Sequence, residues 1–330
     1  MLGPQASPPA GYLSVTLVVT QQAGTPVVPA RGLQYGMTSQ DMKVFFATIV
    51  VLLISSSSFA QERPHTLTGD IRVHKNFHSK ILNNDRDVLV YLPPNYEAQK
   101  KERYPVFYLN DGQNLFDGAT SFIPGQEWRV DETAEALIKS GQVRPLIIVG
   151  IYNTGADRIN EYTPVQDARY KAGGHADLYG RMLIEELKPF IDQTYRTKKS
   201  ATDTALGGSS LGGIVSLYLG LKYENVFGNL AVISPSVWFA GKQILKFVES
   251  ARYSAKVHIW LDIGTKEGRN DGDANQSVID TRLLNGLLVR KGWKQGKEIR
   301  YFEDEGAEHN ERAWAGRFGS ILTFLFPAGH

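Results

Sequence analysis

The sequence predicts an α/β fold in which a mostly parallel central sheet carries helices on both faces. Short apolar segments alternate with longer amphipathic ones, and several of the short segments are apolar without interruption. An uninterrupted apolar run is typical of a strand that is covered on both faces, as strands are in a parallel sheet. Strands that alternate with helices of this length favour crossover connections between parallel neighbours.

Seven segments have the composition of strands. They are rich in Val, Ile, Leu, Tyr and Phe, and Gly, Pro, Asn or Asp residues lie near their ends. The predicted strands are Asp87–Pro93, Tyr104–Asp111, Pro145–Tyr152, Thr204–Ser209, Leu230–Ser236, Val257–Gly264 and Ile299–Gly306. Because open α/β sheets bind ligands outside the carboxyl ends of their strands, the loops after these segments are where a site is expected.

Four segments repeat apolar residues at helical spacing. In the first of them, Leu178, Met182 and Leu187 fall on one face, and Pro189 predicts a kink or a break. The predicted helices are His175–Tyr195, Leu211–Glu224, Gln276–Gly292 and Asn310–Phe326. The last of these closes the domain.

The composition excludes several kinds of partner and site. The chain has 36 Lys and Arg residues against 34 Asp and Glu residues, a net charge of +2, so no charge excess points to nucleic acid. It has no cysteine, which excludes disulfides, thiolate metal sites and a cysteine nucleophile. Paired-histidine metal motifs, a dinucleotide fingerprint and a phosphate loop are absent from the sequence, so neither a metal nor a cofactor is expected.

A secretory signal is predicted near the N-terminus. Met42–Gln61 contains one lysine, an apolar run from Val44 to Ile54, and small residues that end at Ala60. The run is shorter than the roughly 20 residues that a membrane-spanning helix needs. We therefore expect residues 42–60 to be a cleaved signal peptide, with an uncleaved membrane anchor as the alternative.

The signal sets the expected limits of the mature protein. A signal belongs at the start of a chain, so Met42 is the expected initiator. Residues 1–41 are then a non-native or disordered extension, and residues 61–330 form a single domain of about 270 residues. Export without cysteines suits a secreted or periplasmic bacterial protein, with no stable membrane span after cleavage. The sequence carries no signal for an oligomeric state.

The stretch Gly208–Gly212 fits the pattern G-x-S-x-G, with Ser210 at its centre. A sharp turn from a strand into a helix strains the central residue, and glycines two positions to either side avoid a collision. The serine hydroxyl then lies at the N-terminal end of a helix, where unpaired N–H groups favour an oxyanion. A glycine-rich turn or a phosphate loop is the alternative, but no lysine stands near the end of this loop. Ser210 is therefore the predicted nucleophile.

A serine nucleophile needs a histidine to take its proton, and His258, His309 and His330 follow Ser210 in the chain. For this type of serine site the order is nucleophile, acid, base. His258 falls inside a predicted strand, where a packed core residue is expected, and His330 is the last residue. His309 follows the last strand, so it is the predicted base; a solvated loop histidine is the alternative.

The acid is expected after the strand that ends at Gly264. Asp262 falls within that strand, whereas Glu267 lies just beyond Gly264 and is the predicted acid. Asp271 is the reserve candidate, and a solvated loop charge is the alternative interpretation of Glu267. A buried carboxylate there would hold the imidazole in the correct tautomer and stabilise its cation.

Two backbone N–H groups are expected to form an oxyanion hole. Leu211, directly after the nucleophile, supplies one of them. Gln113 is expected to supply the other, because it follows Gly112 in the loop after an early predicted strand. A plain Asp-Gly turn is the alternative at that position.

Seven blocks of the sequence, in this order, resemble the putative-esterase family of α/β-hydrolases, which includes siderophore (enterochelin) esterases, feruloyl esterases and mycolyltransferases. The blocks are YLPPNYEAQKKERYPVFYLNDGQNLFD, WRVDETAEALI, IIVGIYNTGADRINEYTP, ALGGSSLGG, ISPSVW, LDIGTKEG and GAEHNERAW. They extend from Asp87 to Phe326. The resemblance implies an α/β-hydrolase fold with Ser210 as nucleophile, His309 as base and Glu267 as acid, at the end of a Gly-Thr-x-Asp/Glu stretch.

The resemblance also implies a set of substrate-binding residues. They are Asp111, Trp128, Arg158, Glu161 and Trp238. Locally, Arg158 and Glu161 are equally consistent with a solvated ion pair. One departure from the family pattern is Asn110, which replaces the histidine often found before the Asp-Gly of that early loop.

The expected function is a serine carboxylesterase that acts through an acyl-enzyme intermediate on a small-molecule ester. Siderophore, feruloyl and acetyl-sugar esters are the expected substrate classes. An acyltransferase that uses the same acyl-enzyme is the first alternative. A non-catalytic binding protein that retains the fold is the second, because a fold alone does not imply an activity.

Overall fold

The computed structural model describes residues 63–254, 256–268 and 270–329, with the backbone alone for Asp271 and Ala274. The predicted extension (1–41), the predicted signal peptide (42–60) and His330 lie outside the described residues. Within the described part of the chain, no helix is both long enough and apolar enough to cross a membrane.

Among the described residues, eight strands form one central sheet, and two very short strands form a separate hairpin. The strands are β1 (Asp70–Ser79), β2 (Asn84–Leu92), β3 (Val106–Asn110), β4 (Ile147–Ile151), β5 (Gln166–Asp167), β6 (Ala172–Gly173), β7 (Thr204–Ser209), β8 (Asn229–Ile233), β9 (His258–Gly264) and β10 (Ile299–Asp304). The order across the sheet is β1-β2-β4-β3-β7-β8-β9-β10. Strand β2 is antiparallel to both of its neighbours, and all other neighbouring pairs are parallel. The predicted mostly parallel sheet is confirmed.

Helices connect the strands and cover both faces. They are α1 (Val130–Lys139), α2 (Arg158–Glu161), α3 (Ala176–Arg181), α4 (Lys188–Thr194), α5 (Leu211–Lys222), α6 (Phe239–Ser250), α7 (Asp271–Lys291) and α8 (Glu311–Leu325). A π-helical turn over Met182–Leu187 joins α3 to α4. Pro189 lies in the first turn of α4, so the break predicted at this proline appears as a widened turn just before it.

Side chains alternate between two apolar cores, one on each face of the sheet. On β2, Val88 and Val90 enter the core beneath α3 to α7, whereas Leu89 and Tyr91 enter the core beneath α1 and α8. Because both faces are covered, strands β3, β4, β7 and β8 are buried at every position. Strand β1 was not predicted, because it is an edge strand with many exposed residues. A bulge between His74 and Phe77 also interrupts the alternation of its side chains between the two faces of the sheet.

Candidate active site

Ser210 lies in a tight turn between β7 and α5, with φ +59° and ψ −120°. Its backbone is fixed to the neighbouring strand, because its N–H donates to the Ile233 carbonyl (3.0 Å) and its carbonyl accepts from Ser236 N–H (3.2 Å). A Cβ on Gly208 would lie 2.9 Å from the Asn110 Cβ and 3.1 Å from the Gly212 carbonyl carbon. Glycine is therefore required at 208 by the close approach of the two arms of the turn.

The Asn110 side chain supports this turn from below. Its Nδ2 donates to the carbonyls of Gly207 (3.0 Å) and Gly212 (3.3 Å) and to the Ser216 Oγ (3.0 Å), and its Oδ1 accepts from the Tyr179 hydroxyl (2.6 Å). Asn110 is fully buried. The amide thus links the end of β3 to both arms of the Ser210 turn, a role that no motif in the sequence indicates.

His309 and Glu267 form a hydrogen-bonded pair at the carboxyl ends of β9 and β10. The His309 Nδ1 is 2.7 Å from the Glu267 Oε2. The Glu267 side chain is 2% exposed and that of His309 is 38% exposed, so the carboxylate is enclosed while the imidazole reaches solvent. The two loops are joined by a backbone bond from Lys266 N–H to the Ala307 carbonyl (2.9 Å), which fixes their spacing.

The second oxygen of Glu267 is held by a separate set of donors. Its Oε1 accepts from the Ser234 hydroxyl (2.5 Å) and from Gly264 N–H (2.7 Å), and Arg317 Nη2 lies 3.5 Å away. Both carboxylate oxygens are therefore engaged, which restricts rotation of the carboxylate and leaves Oε2 directed at His309.

Asp262, the carboxylate within β9, lies beneath Glu267 and does not take its place. It is fully buried, and its oxygens accept from Ser234 N–H (3.1 Å) and Trp260 Nε1 (2.6 Å). Burial raises the pKa of Asp262 to about 6, although the nearby Arg317 guanidinium opposes the rise. The side chain of the reserve candidate Asp271 lies outside the described part.

Ser210, Glu267 and His309 line one cavity of about 880 Å³. Trp238, one of the predicted substrate-binding residues, lines it too and is 47% exposed. Tyr170, from the β5–β6 hairpin, packs against Trp238 with ring centroids 6.1 Å apart. Polar residues from α7 and the adjoining loops complete the wall: Lys266, Asp273, Gln276, Ser277, Asp280 and Glu308.

The predicted residues Gln113, Leu211, Asp111 and Arg158 are not among those that line this cavity. Gln113 is in a short 3₁₀ turn after β3, and Leu211 is the first residue of α5, where N–H groups have no partner within the helix. Asp111 is buried and holds Arg158 in a two-bond ion pair, with both N–O distances 2.7 Å. A Cβ on Gly212 would lie 3.3 Å from the Asp111 Oδ2, so this ion pair borders the turn.

Two of the predicted substrate-binding residues are buried in the structure. Trp128 is only 1% exposed and packs on Trp314 (5.5 Å between centroids), so it belongs to the core. Glu161 is 2% exposed and pairs with Arg86 (2.9 Å). Arg158 pairs with Asp111 and not with Glu161, so these two residues do not form the solvated ion pair that the sequence also allows.

Four residues near the site are absent from the sequence-based predictions: Ser234, Ser236, Trp314 and Arg317. Ser234 and Ser236 fall inside the block ISPSVW, but nothing there distinguishes a hydroxyl that faces Glu267 from one that faces the cavity. Arg317 did leave a signal: it lies three residues after Trp314 and four before Ile321, on the apolar face of α8, where a charge needs a partner. Trp314 has the spacing of an ordinary core residue.

His258 is a packed residue at the edge of the core, as expected. It begins β9, and partial burial lowers its pKa. In the part of the chain with described side chains, no group of three or more His, Asp or Glu residues is arranged to hold a metal ion.

A family profile described as "Putative esterase" matches residues 79–325 of the chain. An uncharacterised protein of Bacillus subtilis, YjcH, is 33% identical over 221 residues, which are 66% of this chain and 83% of that protein. An endo-1,4-beta-xylanase/feruloyl esterase of Xylanibacter ruminicola is 29% identical over 261 residues, 76% of this chain but 30% of that longer protein.

A solved structure supports the same fold. The enterobactin esterase FES of Shigella flexneri, crystallised in the presence of enterobactin, superposes with a TM-score of 0.60. The match covers 81% of this chain and 61% of that protein at 19% sequence identity. At this identity the likeness establishes the fold, which is that of the α/β-hydrolase esterases.

Proposed function

Because this chain belongs to the putative-esterase family and is an ester-bond hydrolase, we propose that it acts through Ser210, His309 and Glu267 as a catalytic triad. The observation that carries the proposal is the bond of 2.7 Å between His309 and the buried Glu267, at the edge of the cavity that Ser210 also lines. An imidazole oriented by a buried carboxylate is the base that a serine hydroxyl needs.

The reaction proceeds through an acyl-enzyme. His309 takes the Ser210 proton as the Oγ attacks the ester carbonyl, and Glu267 stabilises the imidazolium that forms. The N–H groups of Leu211 and Gln113 hold the oxyanion of the tetrahedral intermediate. His309 then protonates the leaving alcohol. Water attacks the acyl-enzyme with the same base, and the acid product leaves with Ser210 restored.

The test compares two neighbouring serines. Hydrolysis of p-nitrophenyl acetate and butyrate is measured for the wild type, for Ser210→Ala and for Ser209→Ala. Ser209 ends β7 with a buried side chain, so its substitution is a matched control for folding. Loss of turnover in Ser210→Ala alone is expected; equal rates in all three proteins would contradict the proposal. To distinguish acyl transfer from hydrolysis, acceptor alcohols are added and the division of the acyl group between water and the alcohol is measured.

The substrate class is inferred from the cavity wall. Tyr170 and Trp238 offer exposed aromatic rings, and residues such as Gln276 and Ser277 offer hydrogen bonds nearby. This combination suits an ester that carries an aromatic ring with hydroxyl groups. A panel of short alkyl acetates, methyl ferulate, acetylated sugars and a catechol trilactone separates these classes, with higher kcat/KM for the ring-bearing esters expected.

We further propose that the mature protein is exported, on the strength of the signal-like segment 42–60 ahead of the domain spanning 61–330. Expression of the full chain in a bacterial host, followed by N-terminal sequencing of the periplasmic and medium fractions, tests this. A mature N-terminus at Gln61 is expected; intact protein confined to the cytoplasm would contradict it.

A further inference from the structure

We propose that Arg317 is a positioning residue that acts on His309 through Glu267, with Ser234 as the hydroxyl that connects them. The inference rests on the proposed function, because it assigns a part in that chemistry to side chains that touch no substrate. It concerns the layer directly behind the His309–Glu267 pair.

Arg317 is shared between two buried carboxylates. The residue is 3% exposed, and its Nη2 donates to the Ser234 Oγ (2.9 Å) and lies 3.5 Å from the Glu267 Oε1. Its Nη1 lies 3.6 Å from the Asp262 Oδ1, and that nitrogen has no hydrogen-bond partner among the described residues. The guanidinium therefore forms a two-bond ion pair with neither Asp262 nor Glu267.

Another buried arginine in the same domain shows the contrast. Arg86 directs both terminal nitrogens at one partner, Glu161, at 3.1 and 2.9 Å. That is the geometry of a specific ion pair. Arg317 instead spreads its charge over Asp262 and Glu267, which indicates an electrostatic role for it beyond pairing.

The Ser234 hydroxyl has one possible direction. Its oxygen accepts from Arg317 Nη2 and from Trp314 Nε1, each at 2.9 Å, and both of these groups can only donate. Its own proton must therefore point to the Glu267 Oε1. The Trp314 ring also packs edge-on against the His309 ring, with centroids 5.0 Å apart. Side chains of α8 therefore lie against both His309 and Glu267.

The charges around the pair explain what the arginine contributes. The buried set of Asp262, Glu267 and Arg317 carries one excess negative charge, which the imidazolium of His309 balances when it forms. Without the cation, two desolvated carboxylates repel each other, and one of them retains a proton. A protonated Glu267 can no longer stabilise the imidazolium.

Two further carboxylates face this group. Asp304 of β10 lies 3.8 Å from the Arg317 Nε and is partly exposed. Glu311, at the start of α8, is buried and interacts electrostatically with His309. Burial raises the pKa of Glu311, which limits its negative charge at low pH. The charges near His309 are therefore mostly negative, and removal of Arg317 shifts the balance further.

The experiment compares pH–rate profiles. Arg317→Met leaves two desolvated carboxylates without their cation, so one of them keeps its proton to a higher pH, and the acid limb of kcat moves upward by about one pH unit. We expect kcat at pH 7 to fall about tenfold or more while KM changes less than twofold. Arg317→Lys keeps the charge and is expected to restore most of the limb position.

The control and the second variant keep the result decisive. Arg86→Met removes an equally buried cation far from His309 and is expected to leave the limb in place. If Arg317→Met fails to fold, Arg317→Lys and Ser234→Ala test the proposal in its place. Ser234→Ala is expected to lower kcat by about tenfold. A wild-type limb and wild-type kcat in every Arg317 and Ser234 variant that folds, or an equal shift in Arg86→Met, would overturn the proposal.

A readout independent of turnover separates this inference from the proposed function. The NMR resonances of the His309 ring in the wild type and in the Arg317 variants report its bond to Glu267 without substrate. A displaced His309 resonance in Arg317→Met is expected, and an unchanged resonance contradicts the inference. An inactive wild type, or equal turnover in Ser210→Ala, contradicts the proposed function instead.

Discussion

The hydroxyl of Ser210 lies 2.9 Å from the hydroxyl of Ser236, and both side chains line the same cavity. Two serines are therefore close enough to a substrate to be considered as nucleophiles. Only Ser210 has the strained backbone at the start of α5 that exposes its Oγ beside free N–H groups.

Ser236→Ala is expected to reduce kcat/KM by less than about tenfold. It removes one neutral hydrogen bond, worth about 0.5–1.5 kcal/mol, while the backbone bond from residue 236 to the Ser210 carbonyl remains. Labelling with a fluorophosphonate probe checks this: Ser236→Ala should be labelled and Ser210→Ala should not. The reverse pattern would make Ser236 the nucleophile.

Glu267→Gln is expected to lower kcat by about 10²–10⁴-fold with little change in KM. A neutral amide keeps the shape of the side chain but cannot stabilise the imidazolium of His309. Steady-state kinetics on p-nitrophenyl butyrate measure the effect. Glu305→Gln, at an exposed position beyond β10, is the matched control and should keep the wild-type rate. A loss below threefold in Glu267→Gln would remove this residue from the triad.

Asn110→Asp is expected to weaken both the fold and the turnover. The carboxylate cannot donate to the carbonyls of Gly207 and Gly212, so buried acceptors lose their partner at a cost of about 1–3 kcal/mol. Thermal unfolding and kcat are measured together, with Asn285→Asp, an exposed amide on α7, as control. If Asn110→Asp unfolds and turns over like the control, the amide is not what shapes the Ser210 turn.

Trp238→Ala is expected to raise KM about fivefold to tenfold for aromatic esters and to leave ethyl acetate unaffected. The reason is the loss of one ring-stacking contact, worth about 0.5–1.5 kcal/mol. Phe122→Ala is the control, because Phe122 is 82% exposed and is not among the residues that line the cavity. Equal changes in KM for aromatic and alkyl esters would argue against a stacking role.

Asp131→Asn is expected to stabilise the fold at alkaline pH. Burial raises the pKa of Asp131 to about 8, and the neighbouring Glu132 adds to the rise. The folded state therefore holds a proton that the unfolded chain releases near pH 4, so stability falls as the pH rises from about 4 to about 8. Asparagine mimics the protonated acid, so the substitution removes this loss.

Denaturant unfolding at pH 5 and pH 8.5 measures the difference. The stability gained by the variant over the wild type should be larger at pH 8.5 than at pH 5, by about 1–3 kcal/mol. Asp70→Asn, in the partly exposed start of β1, controls for the general effect of a lost carboxylate. A constant difference at both values would show that Asp131 is ionised throughout.

The sequence predicts the fold well because several central strands are near-continuous apolar runs, a pattern that a strand rarely has unless both faces of its sheet are covered. It also selects Ser210, Glu267 and His309, since the order of loops along the chain limits the choice. It does not indicate that Trp128 and Glu161 are buried, because a family block shows which residues recur but not whether they face solvent or a core.

The layer behind the proposed triad could not be predicted from the sequence, for a different reason. The contacts among Ser234, Asp262 and Arg317 join residues that are up to 83 positions apart, and no local spacing encodes them. Only the packing of α8 against the ends of β8 and β9 brings these side chains together. A buried arginine on an apolar face reveals that a partner exists, but it does not identify that partner.

The position of α8 after the other elements of the domain has a consequence for biosynthesis. Ser210, Glu267 and His309 all leave the ribosome before Trp314 and Arg317 do. A nascent polypeptide can therefore contain the proposed triad and still lack the two side chains that contact His309 and Glu267 from behind. We expect ester cleavage to begin only after α8 has been synthesised and has packed against the sheet.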